Sequence, residues 1–142
     1  MFSHCGNLRS APAILPATGL ASYCYGSLFA WNQQLTKTPI IAANVKVNTA
    51  CDYMFIYDSK LSCAEFYTMN SWSTSTYDSW MYNTPLKDNN NSILIRPYGS
   101  SMQFRSSAII LNRYEGNLYY ANQGDGHNVA YDGTDPYADY YK

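Results

Sequence analysis

Charge is scarce in this sequence. Asp, Glu, Lys and Arg make up 13% of the 142 residues and leave a formal net charge of -1, so the basic stripe that a nucleic-acid surface needs is missing. No run of about 18 apolar residues exists, which excludes a transmembrane helix. The start has no charged segment followed by a hydrophobic stretch, so no secretion signal is read there; export is expected through a removed leader, a longer parent chain or the lytic release of a phage particle. Histidine is limited to His4 and His127, and the four cysteines, Cys5, Cys24, Cys51 and Cys63, all lie in the first half without a C-x-x-C pair. A zinc site is therefore not expected. Small buried thiols are the expectation, although four cysteines can also pair in about three ways.

What the chain has in quantity is tyrosine, with 15 copies in an aromatic share of 16%. Tyrosine couples a large apolar ring to a polar tip, which suits contact surfaces and strand faces alike.

The chain also repeats. Met1-Phe2, Leu28-Phe29, Met54-Phe55 and Met81-Tyr82 follow one another at steps of 27, 26 and 27 residues. In the same register stand Leu8, Leu35 and Leu61, then Pro12, Pro39 and Glu65, then Ile14, Ile41 and Tyr67. A unit this short cannot bury its own apolar face, so equivalent residues must stack in ladders between neighbouring units. Phe2, Phe29, Phe55 and Tyr82 are expected to form one inward ladder, and Leu8, Leu35 and Leu61 the next. Each unit reads as a turn or short helical piece followed by an extended segment such as "LRSAPAIL" or "LTKTPIIA", with Pro12 and Pro39 placed where that segment bends.

The phrase "MFSHCGNLRSAPAILPATGLASYCYGSLF" resembles the repeat of the BspA-like leucine-rich repeat family, most strongly over residues 1–35 and with decreasing fidelity to residue 83. Members are abundant on the surfaces of gut Bacteroidetes and related bacteria, and similar repeats occur in their phages. The resemblance implies a right-handed solenoid used for adhesion or protein binding, with no catalytic residues. Departures accumulate along the chain: Glu65 replaces the proline, and Asn32 and Asp58 replace Cys5. The leucine expected near position 88 is an aspartate, so the solenoid is expected to end there, with "KDNNNS" at 87–92 as the turn out of it. The expected fold is thus mainly β or α-β. A leucine-rich repeat solenoid of about three coils occupies residues 1–86, and a β-rich cap or extension occupies 87–142, with a separate small β module as the alternative.

Within that second segment "SILIRPYG", "SMQFRSSAIIL" and "GNLYYA" read as strands between Gly and Ser turns, with alternation at Met102, Phe104 and Ser106. In the tail, Asp125, Asp132 and Asp135 among glycines are the candidates for a Ca²⁺ site; no calcium-loop pattern is present, so solvated turns are preferred and no metal or cofactor is assigned. His127 beside Asp125 has no accompanying nucleophile. Asn90-Asn91-Ser92 fits a glycosylation sequon, which matters only in a eukaryotic secreted protein. Tyr131, Tyr137, Tyr140 and Tyr141, interleaved with Asp, are the candidate binding residues, the alternative being a tyrosine-rich β surface packed within its own chain.

The expected function is a non-catalytic adhesion or interaction module that binds protein or glycan outside a gut bacterium or phage. The alternative is a structural virion protein, a fibre or decoration subunit. Neither nucleic acid nor membrane insertion is expected. Because the sequence starts at a repeat boundary without a capping segment, the expectation is either that it is cut from a longer repeat protein or that another chain covers that end, in a homo-oligomer or a larger assembly.

Overall fold

The computed structural model describes residues 2–42, 51–67 and 79–141. It is β-rich and built on one mixed sheet of six strands: β1 (Ile14–Leu15), β2 (Lys37–Ile41), β3 (Cys63–Phe66), β4 (Ile93–Pro97), β5 (Ile109–Tyr114) and β6 (Asn117–Tyr120). The strands lie side by side in chain order. β1 to β5 pair in parallel, and β6 turns back antiparallel on β5. Helix among the described residues is limited to one turn at Pro85–Asp88 and 3-10 turns at Ser79–Met81 and Ala138–Tyr141. Pairing of β3 with β4 carries the sheet across the expected 86/87 boundary.

Parallel neighbours need a crossover, and here the repeated Phe-to-Leu segments supply part of it, as chains of tight turns. Their alternate N–H groups reach the next repeat: Phe2 donates to Leu28 O (3.0 Å), Phe29 to Met54 O (2.9 Å) and Phe55 to Trp80 O (2.9 Å). The aromatic column is thereby held ring on ring, with Phe2 stacked on Phe29 at 5.4 Å and Phe29 on Phe55 at 5.3 Å. Leu35 and Leu61 are buried beside it, while Phe2 and Leu8 at the outer repeat are only partly covered. Strands contribute alternate residues to this inner core: Ile41, Ala64, Phe66 and Leu94 point in. Ile40, Ile93, Ile95 and Leu111 form a second apolar cluster on the opposite face.

Three expected registers are corrected. Because Phe55 N–H bonds to Trp80 O just as Phe29 N–H bonds to Met54 O, the residue equivalent to Phe55 is Met81, and the fourth pair is Trp80-Met81. Each position of the repeated turn points its side chain in a fixed direction, so a slip of one residue changes which side chain faces the core. Tyr82 accordingly leaves the ladder and stands 50% exposed, while Trp80 is buried edge-on to Phe55 and Phe66. The fourth leucine was hidden by this slip together with a second shortening by one residue, since it stands five residues after Met81 where Leu61 stands six after Phe55. It is Leu86, fully buried, with its N–H on Leu61 O; Asp88 follows it at the end of the helical turn. In the strands, Ile14 pairs with Ile40 instead of Ile41, and Ile40 pairs with Glu65 because the β2–β3 ladder shifts between Lys37 and Ile40.

The "SMQFRS" segment is also not a strand: it is a loop that seats Met102 and Phe104 over the end of the inner core, Phe104 lying 5.5 Å from Phe66. The thiols differ from one another as well. All four are free; Cys5 and Cys24 are exposed, Cys63 is partly covered and Cys51 is buried, where burial pushes its thiol up to about 12. The approach segments expected before the third and fourth copies lie partly at 43–50 and 68–78, outside the described residues.

The position where Asn32 and Asp58 replace Cys5 ties repeats together. Asn32 Oδ1 accepts the Cys5 N–H (2.9 Å), its Nδ2 donates to Phe2 O (2.8 Å) and Phe29 O (2.6 Å), and its own N–H donates to Asp58 Oδ1 (2.6 Å). Asp58 fills the equivalent place one repeat on, but it is fully buried and its Oδ2 has no hydrogen-bond partner. Burial pushes its carboxyl up to about 8, against the opposing hydrogen bond from Asn32 N–H. A folded-state pKa raised above the ordinary value near 4 makes stability fall as pH climbs from about 4 through about 8. Asp58→Asn supplies an amide donor like that of Asn32. It should raise stability by about 1–3 kcal/mol, the cost of an orphaned buried polar group, and flatten the pH dependence. Urea titrations at several pH values between 4 and 8 check both, and a variant less stable than the parent would refute this account of Asp58.

Candidate functional site

The turn segments place a second column of rings on the outside. At the same place in successive repeats His4, Trp31, Tyr57 and Asn83 hold positive φ values of 61°, 64°, 63° and 55°. The left-handed conformation costs an L-residue about 1–2 kcal/mol and is ordinarily given to Gly or Asn. Asn83 follows that habit; the other three positions carry bulky rings. Those rings pile on one another, His4 on Trp31 at 5.5 Å and Trp31 on Tyr57 at 4.1 Å, and Tyr82 closes the row edge-on to Tyr57 at 6.3 Å. Trp31 is 41% exposed. Tyr53, four residues before Tyr57 and also left-handed, is exposed too. Because the faces of the stacked rings cover one another, the column offers solvent mainly ring edges.

None of these residues was among the sequence-level site candidates. The signal was in the repeat all the same: two positions after Phe2, Phe29 and Phe55 the sequence reads His4, Trp31 and Tyr57, a column that keeps its aromatic character without keeping its identity.

The four tyrosines expected to bind lie in the tail, and the tail is folded onto the outer face of the sheet. Tyr137 is buried there; its hydroxyl donates to Thr38 O (3.0 Å), lies 3.2 Å from Cys63 O, and shares a contact with Thr38 Oγ1 (3.1 Å). Tyr131 and Tyr141 are partly buried against the same cluster. Only Tyr140 is exposed, with its ring 6.2 Å from Tyr67.

An ion cluster fastens this cover. Arg113 of β5 donates from Nε and Nη2 to the two oxygens of Glu65 (2.8 and 3.1 Å), and from Nη1 and Nη2 to Asp135 (2.5 and 3.1 Å). The guanidinium also lies 3.9 Å from the centre of the Tyr141 ring, whose hydroxyl donates to Glu65 Oε1 (2.8 Å). Burial raises the Glu65 carboxyl above its ordinary range, with Arg113 acting against that shift. Burial acts in the same direction on Asp135, but there the Arg113 hydrogen bonds win and its pKa is lowered.

The calcium candidates do not converge. Asp135 is held by Arg113, Asp132 accepts the Tyr120 hydroxyl at 2.6 Å, and the Asp125 N–H is on Asn128; among the described residues no three His, Cys, Asp or Glu side chains gather. His127 packs between Tyr98 and Tyr114 at 4.3 and 5.0 Å. In the sequon, Asn90 is exposed while Ser92 is buried with its hydroxyl on Pro85 O. No protein-family model matches the chain, and neither a curated protein nor a solved structure matches it significantly.

Proposed function

We propose that the chain is a non-catalytic interaction module, a short solenoid of the BspA-like kind that docks a protein partner along its outer aromatic column. The solenoid reading is supported by parallel strands laid down in chain order and by turn-to-turn hydrogen bonds recurring at the repeat spacing. The observation that carries the docking reading is the row His4, Trp31, Tyr57 and Tyr82, three of its rings held at left-handed positions on the surface. Backbone strain of this kind persists where surrounding structure enforces it, and it gathers at functional places. Trp and Tyr dominate the energetic centres of protein interfaces and bury area at low entropic cost. Covered ring faces disfavour a sugar lying flat on the column, whereas projecting edges suit insertion between apolar side chains. The setting we propose is the exterior of a gut bacterium or phage, which rests on the repeat resemblance.

Trp31→Gly separates binding from folding. Glycine accepts φ 64° without strain, which offsets the lost stacking, so the melting temperature should correspond to a change within about 1 kcal/mol. Retention of host cell-surface proteins on the immobilised chain should fall at least about tenfold, the effect of one interface centre worth over 1.4 kcal/mol. Equal retention by the variant would refute the column as the docking site.

A further inference from the structure

A second surface lies where the first two repeats meet the tail. A cleft of about 360 Å³ is lined by residues 9–13, leading into β1, by Thr36, Lys37 and Thr38, and by Tyr137, Asp139 and Tyr140 of the tail. Of these, Tyr137 and Thr38 are buried and bonded to each other. Two cations border the cleft. Lys37 spends one donor on Pro136 O (2.9 Å) and lies 5.3 Å from the Tyr137 ring centre, which leaves it further donors. Arg9 is exposed and makes no hydrogen bond or ion pair with the described residues. The rim thus combines a positive pair, one carboxylate and an exposed tyrosine ring. In a chain with so little charge, this grouping selects a narrow ligand chemistry.

We propose that this cleft binds an acidic sugar of the hexuronate class. A carboxylate meets Arg9 and Lys37, the guanidinium being suited to bidentate contact. Ring hydroxyls donate to the Asp139 carboxylate, and the apolar face of the sugar lies against Tyr140. A simple anion uses only the cations, and a neutral sugar leaves them unmatched, so the acid and the hydroxyls must be carried by one molecule. The volume is at the small end of ligand clefts, about 300–1,000 Å³, which fits a monosaccharide or disaccharide end group better than a long chain passing through. The site is separate from the aromatic column and does not depend on it.

The test is a titration of the full chain with glucuronate, galacturonate, glucose and acetate, followed by ligand-detected NMR and calorimetry. One of the two uronates should bind with millimolar or better affinity, at least tenfold more tightly than glucose and acetate. Arg9→Gln and Tyr140→Ala should each weaken that binding at least fivefold with unchanged melting temperature, and Trp31→Gly should leave it unaltered. No uronate binding at 10 mM ligand (roughly the weak limit of a specific site), acetate binding as well as the uronates, glucose binding as well as the uronates, or an unchanged Arg9→Gln variant would each overturn the proposal.

Discussion

Arg113→Ala should destabilise the fold by about 3–5 kcal/mol, the loss found when one partner of a buried ion pair is removed. Its side chain is 9% exposed and that of Glu65 is fully covered, so the variant leaves the Glu65 carboxylate without a cation in a desolvated site. The ring of Tyr141 loses the guanidinium that lies over it. Asp135 loses its partner as well, and the tail loses its attachment to β5. The penalty should depend on pH in a defined sense. Burial already raises Glu65, and Arg113 opposes that rise; without Arg113 the carboxyl stays protonated to higher pH, and a raised folded-state pKa means stability is lost as pH increases through it. The variant should therefore be closest to the parent near pH 4 and furthest from it at pH 8. Urea unfolding at the two pH values measures this. Glu65→Leu combined with Arg113→Met should recover most of the loss, because an apolar pair can replace a buried ionic one. A loss under about 1 kcal/mol for Arg113→Ala at pH 8 would show that the cluster behaves as a surface salt bridge. The uronate cleft shares Tyr137, Asp139 and Tyr140 with the tail, so the same variant should also lose uronate binding.

Phe29→Ala carries the other large effect. Its ring is fully buried and stacked on both faces, by Phe2 and by Phe55. Truncation opens a cavity inside the column and should cost about 3–5 kcal/mol. Phe2 has the same chemistry at the end of the same column, but it is only partly covered. Phe2→Ala should cost less than half as much, since less apolar area returns to water. Thermal and urea unfolding of the two variants side by side give the comparison. Equal losses would mean that the column is not a graded stack of repeats and that both rings serve some other packing unit.

The inner core was legible from spacing because a repeat states its core several times over. Phe29, Phe55, Leu35 and Leu61 recur at 26 or 27 residues, and each copy corroborates the others. Where the copies became unlike one another the reading slipped. "WMY" contains three large apolar residues in a row, and the Met-Tyr pair copied Met-Phe better than Trp-Met did. Only the backbone pairing of Phe55 with Trp80 O decides between them, and that pairing sets which of Met81 and Tyr82 faces inward. The strands of the second segment were visible because β4 and β5 carry apolar runs. The loop through Met102 and Phe104 imitated a strand because alternation is also what a loop shows when it dips twice into a core.

The tail is the larger difference. Tyrosines alternating with Asp carry the same pattern whether they face a partner or their own sheet, and nothing local separates the two. Tyr137 reaches Thr38 across 99 positions, Arg113 reaches Glu65 across 48 and Tyr141 reaches Glu65 across 76. Glu65 looked like a lapse in the proline column; in three dimensions it is the carboxylate that receives Arg113 and Tyr141.

By itself the sequence determined the repeat length, the inward Phe and Leu columns and the β-rich character, because these depend on periodicity and composition carried within each short unit. The tertiary structure alone decided the fourth rung, the burial of Tyr137, the ion cluster under the tail, and the outer row of His4, Trp31, Tyr57 and Tyr82. Each of those depends on the face a residue presents, which a shift of one position alters, or on contacts between segments far apart in the chain.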